Sequence, residues 1–459
     1  MPDAGKSLQY FTTNNLEQRT ERHGVFHLKK PHQTEAQSST AQATVTDTVK
    51  TVIADIESRG DAALRDYSVK FDSFSPESFR LSEEQIQEII ATVDPQTLED
   101  IKTVQRNVER FAKLQRESIT DFEAEVEPGV FLGQKNVPVG AVGAYVPGGR
   151  YPLLASAHMT IVTAKVAGVQ RVIAATPAPR GEIPAASVAA IHYAGADEIY
   201  LLGGVQAIAA LAVGTETIDP VDVIAGPGNA FVAEAKRQLF GRVGIDLFAG
   251  PTEVLIVGDE TTDPFLAAVD LLSQAEHGPD SPAVYVTTSE ENGRAVIDQV
   301  ERQLAVLPTA EIAGKAWETV GEVIVAENIE EAFRISDEYA SEHVQVLTAE
   351  PRLALEKMQN YGALFLGDRT CVSFGDKVIG TNHVLPTMRA ARYTGGLWVG
   401  KYLKTVTYQE VRTDEASAAL GELLGRAARA ERFEGHARSG DIRAARYTGE
   451  WPEWTQGLR

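Results

Sequence analysis

The stretch VGAVGAYVPGGR, residues 139–150, is the best starting point for interpreting the chain. Its apolar part, Val139–Val146, is typical of a buried strand, and a glycine-rich turn follows it directly. A helical pattern over Ser156–Ala167 comes next, and then a β-branched run over Arg171–Ala175. A strand, a tight turn, a helix and a second strand in this order predict a parallel βαβ unit.

The same alternation continues towards the C-terminus. A helical pattern over Ile183–Ala194 precedes apolar runs at Glu198–Leu202 and Val221–Ala225. A second series of apolar runs follows, at Val254–Val257, Ala283–Thr287, Glu322–Val325, Val344–Leu347 and Ala363–Leu366. The sequence therefore predicts an α/β fold with two Rossmann-like, doubly wound domains in succession.

The two ends of the chain differ in composition and periodicity from the α/β region between them. Residues 1–40 are polar without sustained periodicity, which predicts an arm that is mobile or packs on a partner subunit. Apolar residues recur at helical spacing over 41–71 and 82–117, and again over Ala416–Phe433. We therefore expect an N-terminal helical arm and a helical C-terminal tail beside the two domains.

Composition limits the classes of partner. The chain has 459 residues and a formal net charge of -21, and this field would repel nucleic acid and anionic membranes. A single cysteine, Cys371, excludes an internal disulfide and fits a reducing compartment. No signal peptide is visible, and apolar runs such as Ala207–Val213 are too short to span a bilayer. We expect a cytoplasmic protein.

Three glycine-rich turns each lie between a predicted strand and a predicted helix: Tyr145–Arg150, Gly203–Gln206 and Gly226–Asn229. Backbone N–H groups at such places can hold a pyrophosphate. None is a full G-x-G-x-x-G with an acidic residue at the right distance. Tight turns without a ligand remain the alternative.

Polar residues suited to a metal occur in a second set of motifs. Gln274 and His277 are three apart, so on a helix they share one face, although capping or surface roles are the common alternative. With Asp376 and His436 they would supply two nitrogens and two oxygens, a set that suits zinc. The adjacent pair Glu342–His343 would then serve proton transfer. A hydride acceptor, a Lewis-acid metal and an acid/base pair together describe an alcohol dehydrogenase.

Longer motifs make the interpretation specific. From about Thr44 to His436 the chain resembles the histidinol dehydrogenase family. The motifs that carry the resemblance are Gly226–Val232, Glu234–Arg237, Ala249–Val254, Ser273–Ser281, Ser341–His343, Gly375–Asp376 and Gly380–Thr387.

The resemblance implies a homodimeric enzyme that oxidises a primary alcohol through a bound aldehyde to a carboxylate, with two NAD and one zinc ion. It implies Glu342 and His343 as the acid/base pair, in which His343 takes the alcohol proton and Glu342 activates water. The zinc ligands would be Gln274, His277, Asp376 and His436, and the NAD contacts Tyr145, Gln206 and Asn229. The substrate site would comprise Thr252, Gln274, His277, His343, Asp376, His383, Glu431 and His436.

The resemblance also implies the domain organisation. Residues 1–40 would form the arm, and residues 41–144 with 254–397 the Rossmann-like domain that carries the metal and acid/base residues. Residues 145–251 would form an inserted Rossmann-like domain for NAD, and residues 398–459 a tail that is swapped within the dimer. Glu431 and His436 would thus act in the site of the other subunit.

Some residues depart from the pattern usual for histidinol enzymes. Thr252 stands where a serine is usual, and Lys377 follows Gly375–Asp376 where a tyrosine is usual. Phe374–Lys377, and Ala391–Tyr393 before Gly395–Leu397, are more similar to the sulfopropanediol dehydrogenase branch. A cationic Lys377 or Arg389 near the pocket would suit an anionic substrate, whereas surface positions for both remain the alternative.

Three hypotheses follow. The first is a dehydrogenase for a small polar alcohol other than histidinol, such as a sulfonated diol. The second is L-histidinol dehydrogenase of histidine biosynthesis. The third is a metal-binding scaffold without catalysis, against which the intact Glu342–His343 pair argues.

Overall fold

The computed structural model describes residues 25–32, 38–148, 152–247 and 250–458. These form two compact units, one of residues up to 115 with 139–402, the other of 116–138 with 403–459. The strands are β1 Phe26–Lys29, β2 Phe122–Glu127, β3 Val130–Pro138, β4 Ala141–Tyr145, β5 Arg171–Thr176, β6 Glu198–Leu201, β7 Val223–Ala225, β8 Gly244–Ile245, β9 Val254–Gly258, β10 Ala283–Thr287, β11 Glu322–Val325, β12 His343–Leu347, β13 Ala363–Leu366 and β14 Leu403–Val411.

The α-helices alternate with these strands over most of the chain. They are α1 Ser38–Arg59, α2 Asp61–Asp72, α3 Glu83–Ile90, α4 Pro95–Glu117, α5 Leu154–Ala157, α6 Thr163–Ala167, α7 Ala185–Tyr193, α8 Gly204–Val213, α9 Ala230–Leu239, α10 Pro264–Ala275, α11 Glu290–Leu304, α12 Ala310–Val320, α13 Ile329–Tyr339, α14 Ala354–Lys357, α15 Val372–Lys377, α16 Asp414–Ala430 and α17 Glu434–Thr448. A π-helical turn, His158–Val162, joins α5 to α6. Within the described ranges, no helix is long and apolar enough to cross a membrane.

The first unit contains two mainly parallel sheets, which confirms the predicted fold class. The larger sheet has six strands in the order β1-β11-β10-β9-β12-β13, with β1 antiparallel at one edge. The smaller sheet has five parallel strands in the order β6-β5-β4-β7-β8. β9, β10 and β12 are buried along their whole length, which explains their nearly continuous apolar sequence.

The domain boundaries given above stay a prediction, and three segments near them pack as follows. β1 lies within the predicted arm, yet it pairs with β11 at the edge of the six-stranded sheet. α1 packs against α8 and α9 and contributes Val49, Val52 and Ile56 to the core beside the five-stranded sheet. These three residues form the apolar stripe of the helix. The same sheet already begins with β4 at Ala141, before the expected start at 145.

The second unit combines an antiparallel sheet with a helical hairpin. The sheet has the order β14-β3-β2, so residues 116–138 group with the tail. α16 and α17 pack closely where glycines face each other: a Cβ on Gly421 would lie 2.5 Å from the carbonyl oxygen of Gly440. The helix predicted over 416–433 corresponds to α16 and is confirmed. Strand β14 was not predicted.

Candidate active site

The acid/base pair lies at the amino ends of two neighbouring parallel strands. Glu342 immediately precedes β12, and Thr252–Glu253 immediately precede β9, which pairs with β12 in the register His343 to Val254. α10 follows β9 and runs back, so its C-terminal end returns Gln274 to this edge. Sites in open α/β sheets usually lie at the carboxyl ends of strands, so this placement is unusual. A helix C-terminus carries partial negative charge and favours a cation nearby.

Glu342 is a buried carboxylate with two neutral donors. Its Oε2 accepts hydrogen bonds from Thr252 Oγ1 at 2.6 Å and from the Glu253 amide at 3.0 Å. Burial raises the pKa of Glu342, while the neighbouring His343 and the two donors act in the opposite direction. A buried carboxyl whose pKa is raised is a better proton acceptor than an exposed one, which suits a general base.

His343 links this carboxylate to the next. Its Nδ1 lies 3.1 Å from the carbonyl oxygen of Glu253, and its Nε2 lies 3.1 Å from Asp376 Oδ1. Burial alone would lower the pKa of His343, but the carboxylates of Glu342 and Asp376 outweigh it and raise the pKa to about 9. The predicted acid/base pair is therefore brought together in one buried group.

Asp376 joins the pair to the predicted metal ligands. Its Oδ2 accepts a hydrogen bond from Gln274 Nε2 at 2.8 Å. Burial would raise the pKa of Asp376, yet the bond to His343 and the histidine charges hold it well below its usual range. Among the described residues the buried Gln274 Oε1 has no hydrogen-bond partner, so an amide oxygen and an ionised carboxylate are available to a cation.

His277 is the exposed member of the three predicted metal ligands in the first unit. Partial desolvation lowers the pKa of its imidazole, Asp376 acts in the opposite direction, and Lys377 adds to the lowering. Within the described ranges, no three His, Cys, Asp or Glu side chains converge as a metal cluster. The first unit offers Gln274, His277 and Asp376, whose donor types fit zinc with a further ligand still to be supplied.

Two further histidines lie close by, the half-buried His383 beside Asp376 and the buried His158 near His383. His383 Nδ1 is 3.1 Å from the Asp376 carbonyl oxygen, and burial lowers the pKa of His383 to about 4. His158, which the sequence analysis did not select, lies 3.0 Å from the amide nitrogen of Gln105, and burial lowers its pKa to about 4. Both rings are neutral near pH 7. His158 occupies an apolar helical stretch, where no local pattern marks a histidine as functional.

The residues predicted to contact NAD lie at the carboxyl ends of the five-stranded sheet. The hydroxyl of Tyr145, the last residue of β4, accepts a hydrogen bond from the Gly204 amide at 3.0 Å. Gln206, fully buried in α8, donates through Nε2 to Asp72 Oδ2 at 2.9 Å. Asn229 caps α9, its Oδ1 accepting from the Phe231 and Val232 amides. Gly149 and Arg150 of the first turn lie outside the described residues.

A buried ion pair that the sequence did not predict fixes the third glycine-rich turn, Gly226–Asn229. Lys236 and Asp246 form the pair, Lys236 Nζ donates to the Gly226 carbonyl oxygen at 3.0 Å, and Asp246 Oδ2 accepts from the Gly226 amide at 2.7 Å. Gly226 has φ +124°, and a Cβ there would lie 2.1 Å from the Tyr145 carbonyl oxygen. Only glycine fits, and both of its backbone polar groups are fixed.

The remaining predicted residues lie elsewhere. Glu431 directly follows α16, and His436 lies in α17 beside Phe433. Both are exposed in the second unit, and their part in any active site stays a prediction. Arg392 is exposed and donates to the Glu338 carbonyl oxygen at 3.0 Å. Lys377 ends α15 and is exposed, but its charge lowers the pKa values of His277 and His383.

Comparisons with known proteins identify the family. The family model for histidinol dehydrogenase matches residues 35–444. A histidinol dehydrogenase homolog of Shouchella clausii is 56% identical over 418 residues, covering 91% of this chain and 98% of the relative. Sulfopropanediol 3-dehydrogenase of Ruegeria pomeroyi is 46% identical over 426 residues, covering 92% of this chain and 97% of the relative.

A solved structure shows the same fold. The crystal structure of histidinol dehydrogenase from Elizabethkingia anophelis superposes with a TM-score of 0.84 at 34% identity, covering 92% of this chain and 95% of that one. The motif-level resemblance, the two-sheet fold and these matches agree over nearly the whole chain. The protein is therefore an oxidoreductase that belongs to the histidinol dehydrogenase family.

Proposed function

We propose that the protein is a zinc- and NAD-dependent dehydrogenase that oxidises a small polar primary alcohol, through a bound aldehyde, to a carboxylate. The observation that carries the proposal is the buried chain Thr252–Glu342, His343, Asp376, Gln274, in which each side chain contacts the next. A non-catalytic scaffold has no use for a buried acid/base pair, because burying charged groups costs stability unless they serve a function.

Zinc would be held by Gln274, His277 and Asp376, with His436 as the proposed fourth ligand. The fit rests on the Gln274 oxygen, which has no hydrogen-bond partner, and on the Asp376 carboxylate, whose oxygens already accept from His343 and Gln274 but keep further lone pairs for a cation. When bound, the ion supplies Lewis-acid polarisation of the substrate oxygen.

The chain's own side chains would carry the protons. His343 Nδ1 donates a hydrogen bond to the Glu253 carbonyl oxygen, which fixes the ring, and Nε2 would take the alcohol proton once its own proton has been released. Glu342, held by Thr252 and the Glu253 amide, would remove a proton from the water that adds to the aldehyde. Both groups are buried, so bulk water is excluded from the transfer.

The proposed substrate is anionic, such as a sulfonated diol. The positive Lys377 at the end of α15 acts electrostatically on both His277 and His383, and such a charge favours an anionic group over the ammonium of histidinol. The Ruegeria pomeroyi relative named for sulfopropanediol is similar over 97% of its length. The alternative substrate is L-histidinol.

A direct comparison tests this choice. Purified protein with zinc and NAD is offered L-histidinol and (R)-2,3-dihydroxypropanesulfonate, and NADH formation is followed. We expect turnover of the sulfonate, its loss in Glu342→Gln, and a raised KM for it in Lys377→Gln. Faster turnover of histidinol would establish the alternative substrate, and Glu342→Gln with unchanged turnover would refute the assigned acid/base role.

The proposal includes a homodimer in which the tail completes the partner's site, and a cytoplasmic location. Exposed apolar side chains in the second unit support a covered surface there, among them Leu423, Leu424 and Phe433. The single cysteine, Cys371, supports a reducing compartment.

A further inference from the structure

We infer that Asp72 binds the hydroxyl groups of the adenosine ribose of NAD and thereby makes the enzyme prefer NAD to NADP. This inference rests on the proposed use of NAD. The sequence shows no acidic residue at the usual distance after a glycine-rich turn. The fold supplies one from another part of the chain, because α2 packs on α8.

Asp72 is the last residue of α2, and it reaches the turn before α8. Its Oδ2 accepts from Gln206 Nε2 at 2.9 Å, and the Gly203 amide also donates to the carboxylate. A Cβ on Gly203 would lie 3.4 Å from Asp72 Oδ1 and 2.6 Å from the Cβ of Pro177. Asp72 is therefore close to the point where the chain leaves β5.

This position matches the requirement of dinucleotide-binding folds. In them an acidic residue at the end of the strand next to the first strand binds the ribose hydroxyls. Here β5 is the neighbour of β4, and the chain continues from β5 as Thr176-Pro177-Ala178-Pro179, without an acid. Asp72 places a carboxylate beside that segment.

The fold around Asp72 does little to stabilise a negatively charged carboxylate there. A carboxylate at a helix C-terminus is repelled by the helix dipole, and burial raises the pKa of Asp72. Among the described residues no cation pairs with it, and its donors are the neutral Gln206 amide and the Gly203 N–H. Gln206 Oε1, fully buried, also lacks a described hydrogen-bond partner. Two ribose hydroxyls would donate to the half-buried Asp72 carboxylate, whereas a 2′-phosphate would be repelled by it.

Nucleotide binding tests the inference without any alcohol. Zinc-loaded, full-length protein is titrated with NADH and with NADPH, following nucleotide fluorescence. We expect the wild type to bind NADH more tightly than NADPH. The Asp72→Ser variant should bind NADH about tenfold to a hundredfold more weakly than the wild type does, and it should bind NADPH more tightly than the wild type does. Asp72→Asn should weaken NADH binding while keeping the bond to Gln206. Asp66→Asn, an exposed change on the same helix where Asp66 pairs with Arg59, is the matched control.

The outcomes separate the two claims. If Asp72 only holds Gln206 in place, Asp72→Ser should weaken the binding of NADH and of NADPH equally. An equal loss of both affinities, or no change in either, would overturn the assignment of Asp72. A wild type that binds neither NADH nor NADPH would overturn the proposed cofactor as well. A changed ratio of NADH to NADPH affinity in Asp72→Ser, with the Asp66→Asn ratio unchanged, would support the inference.

Discussion

At the scale of single residues, function depends on buried side chains whose partners are distant in sequence. Gln274 and Asp376 are 102 positions apart and yet share a hydrogen bond. The sequence indicated that each was a ligand candidate, from residue type and motif, but it could not show that His343 bonds to Asp376 or that Glu253 holds His343. Such contacts depend on strand register, which local patterns do not encode.

The Thr252 hydroxyl is the strongest donor to Glu342, at 2.6 Å. We predict that Thr252→Val, which keeps the shape but removes the donor, lowers kcat about tenfold to a hundredfold, because the buried carboxylate loses a hydrogen bond. Steady-state kinetics should show the loss in kcat, with Thr252→Ser close to wild type. A Thr252→Val enzyme with unchanged kcat would remove this hydroxyl from the mechanism.

Glu253 gives a pH-dependent prediction. Burial and the neighbouring Glu342 raise the pKa of Glu253 to about 8. The folded state therefore holds its proton more tightly than the unfolded state, and stability is lost as pH rises from about 4.5 towards 8. Glu253→Gln, which can still accept from the Met388 amide, should raise the unfolding midpoint at pH 8.5 and not at pH 4.5. Equal effects at both values would contradict the assigned pKa.

At the scale of elements, the sequence predicted the parallel strands well, because strands buried on both faces read as uninterrupted apolar runs between glycine turns. β14 was missed since its residues are largely exposed and mix Lys, Thr, Tyr and Glu. β1 was missed because a short edge strand in a polar segment has no periodic signal.

The turn at Gly226 is held by the Lys236–Asp246 pair, and this gives a stability prediction. Lys236→Met leaves Asp246 charged, buried and without its cation, which should lower the free energy of unfolding by about 3–5 kcal/mol. The double variant Lys236→Met/Asp246→Asn should recover part of this. Urea unfolding measures both, and Arg242→Met at an exposed ion pair serves as the control, with a loss below about 1 kcal/mol. Equal losses for Lys236→Met and Arg242→Met would contradict the role of the pair.

At the scale of the whole molecule, the proposed swapped tail can be tested by mixing inactive variants. Glu342→Gln and His436→Ala would each be inactive alone. If the tail acts in the partner's site, a mixed dimer contains one intact site, and randomly reassembled equal amounts should regain about a quarter of wild-type activity. If the tail acts within its own chain, the mixture stays inactive, and NADH formation distinguishes the two results.

The substrate groups and the turns proposed for NAD belong to different sheets, the former at amino ends and the latter at carboxyl ends. This separation predicts that changes around Lys377 alter which alcohol is accepted without disturbing the tightly fitted backbone at Gly226, where a Cβ would meet the Tyr145 carbonyl oxygen. Laboratory evolution towards new alcohols should therefore accumulate changes around the six-stranded sheet of the first unit. The part around the five-stranded sheet, which is proposed to bind NAD, should stay unchanged.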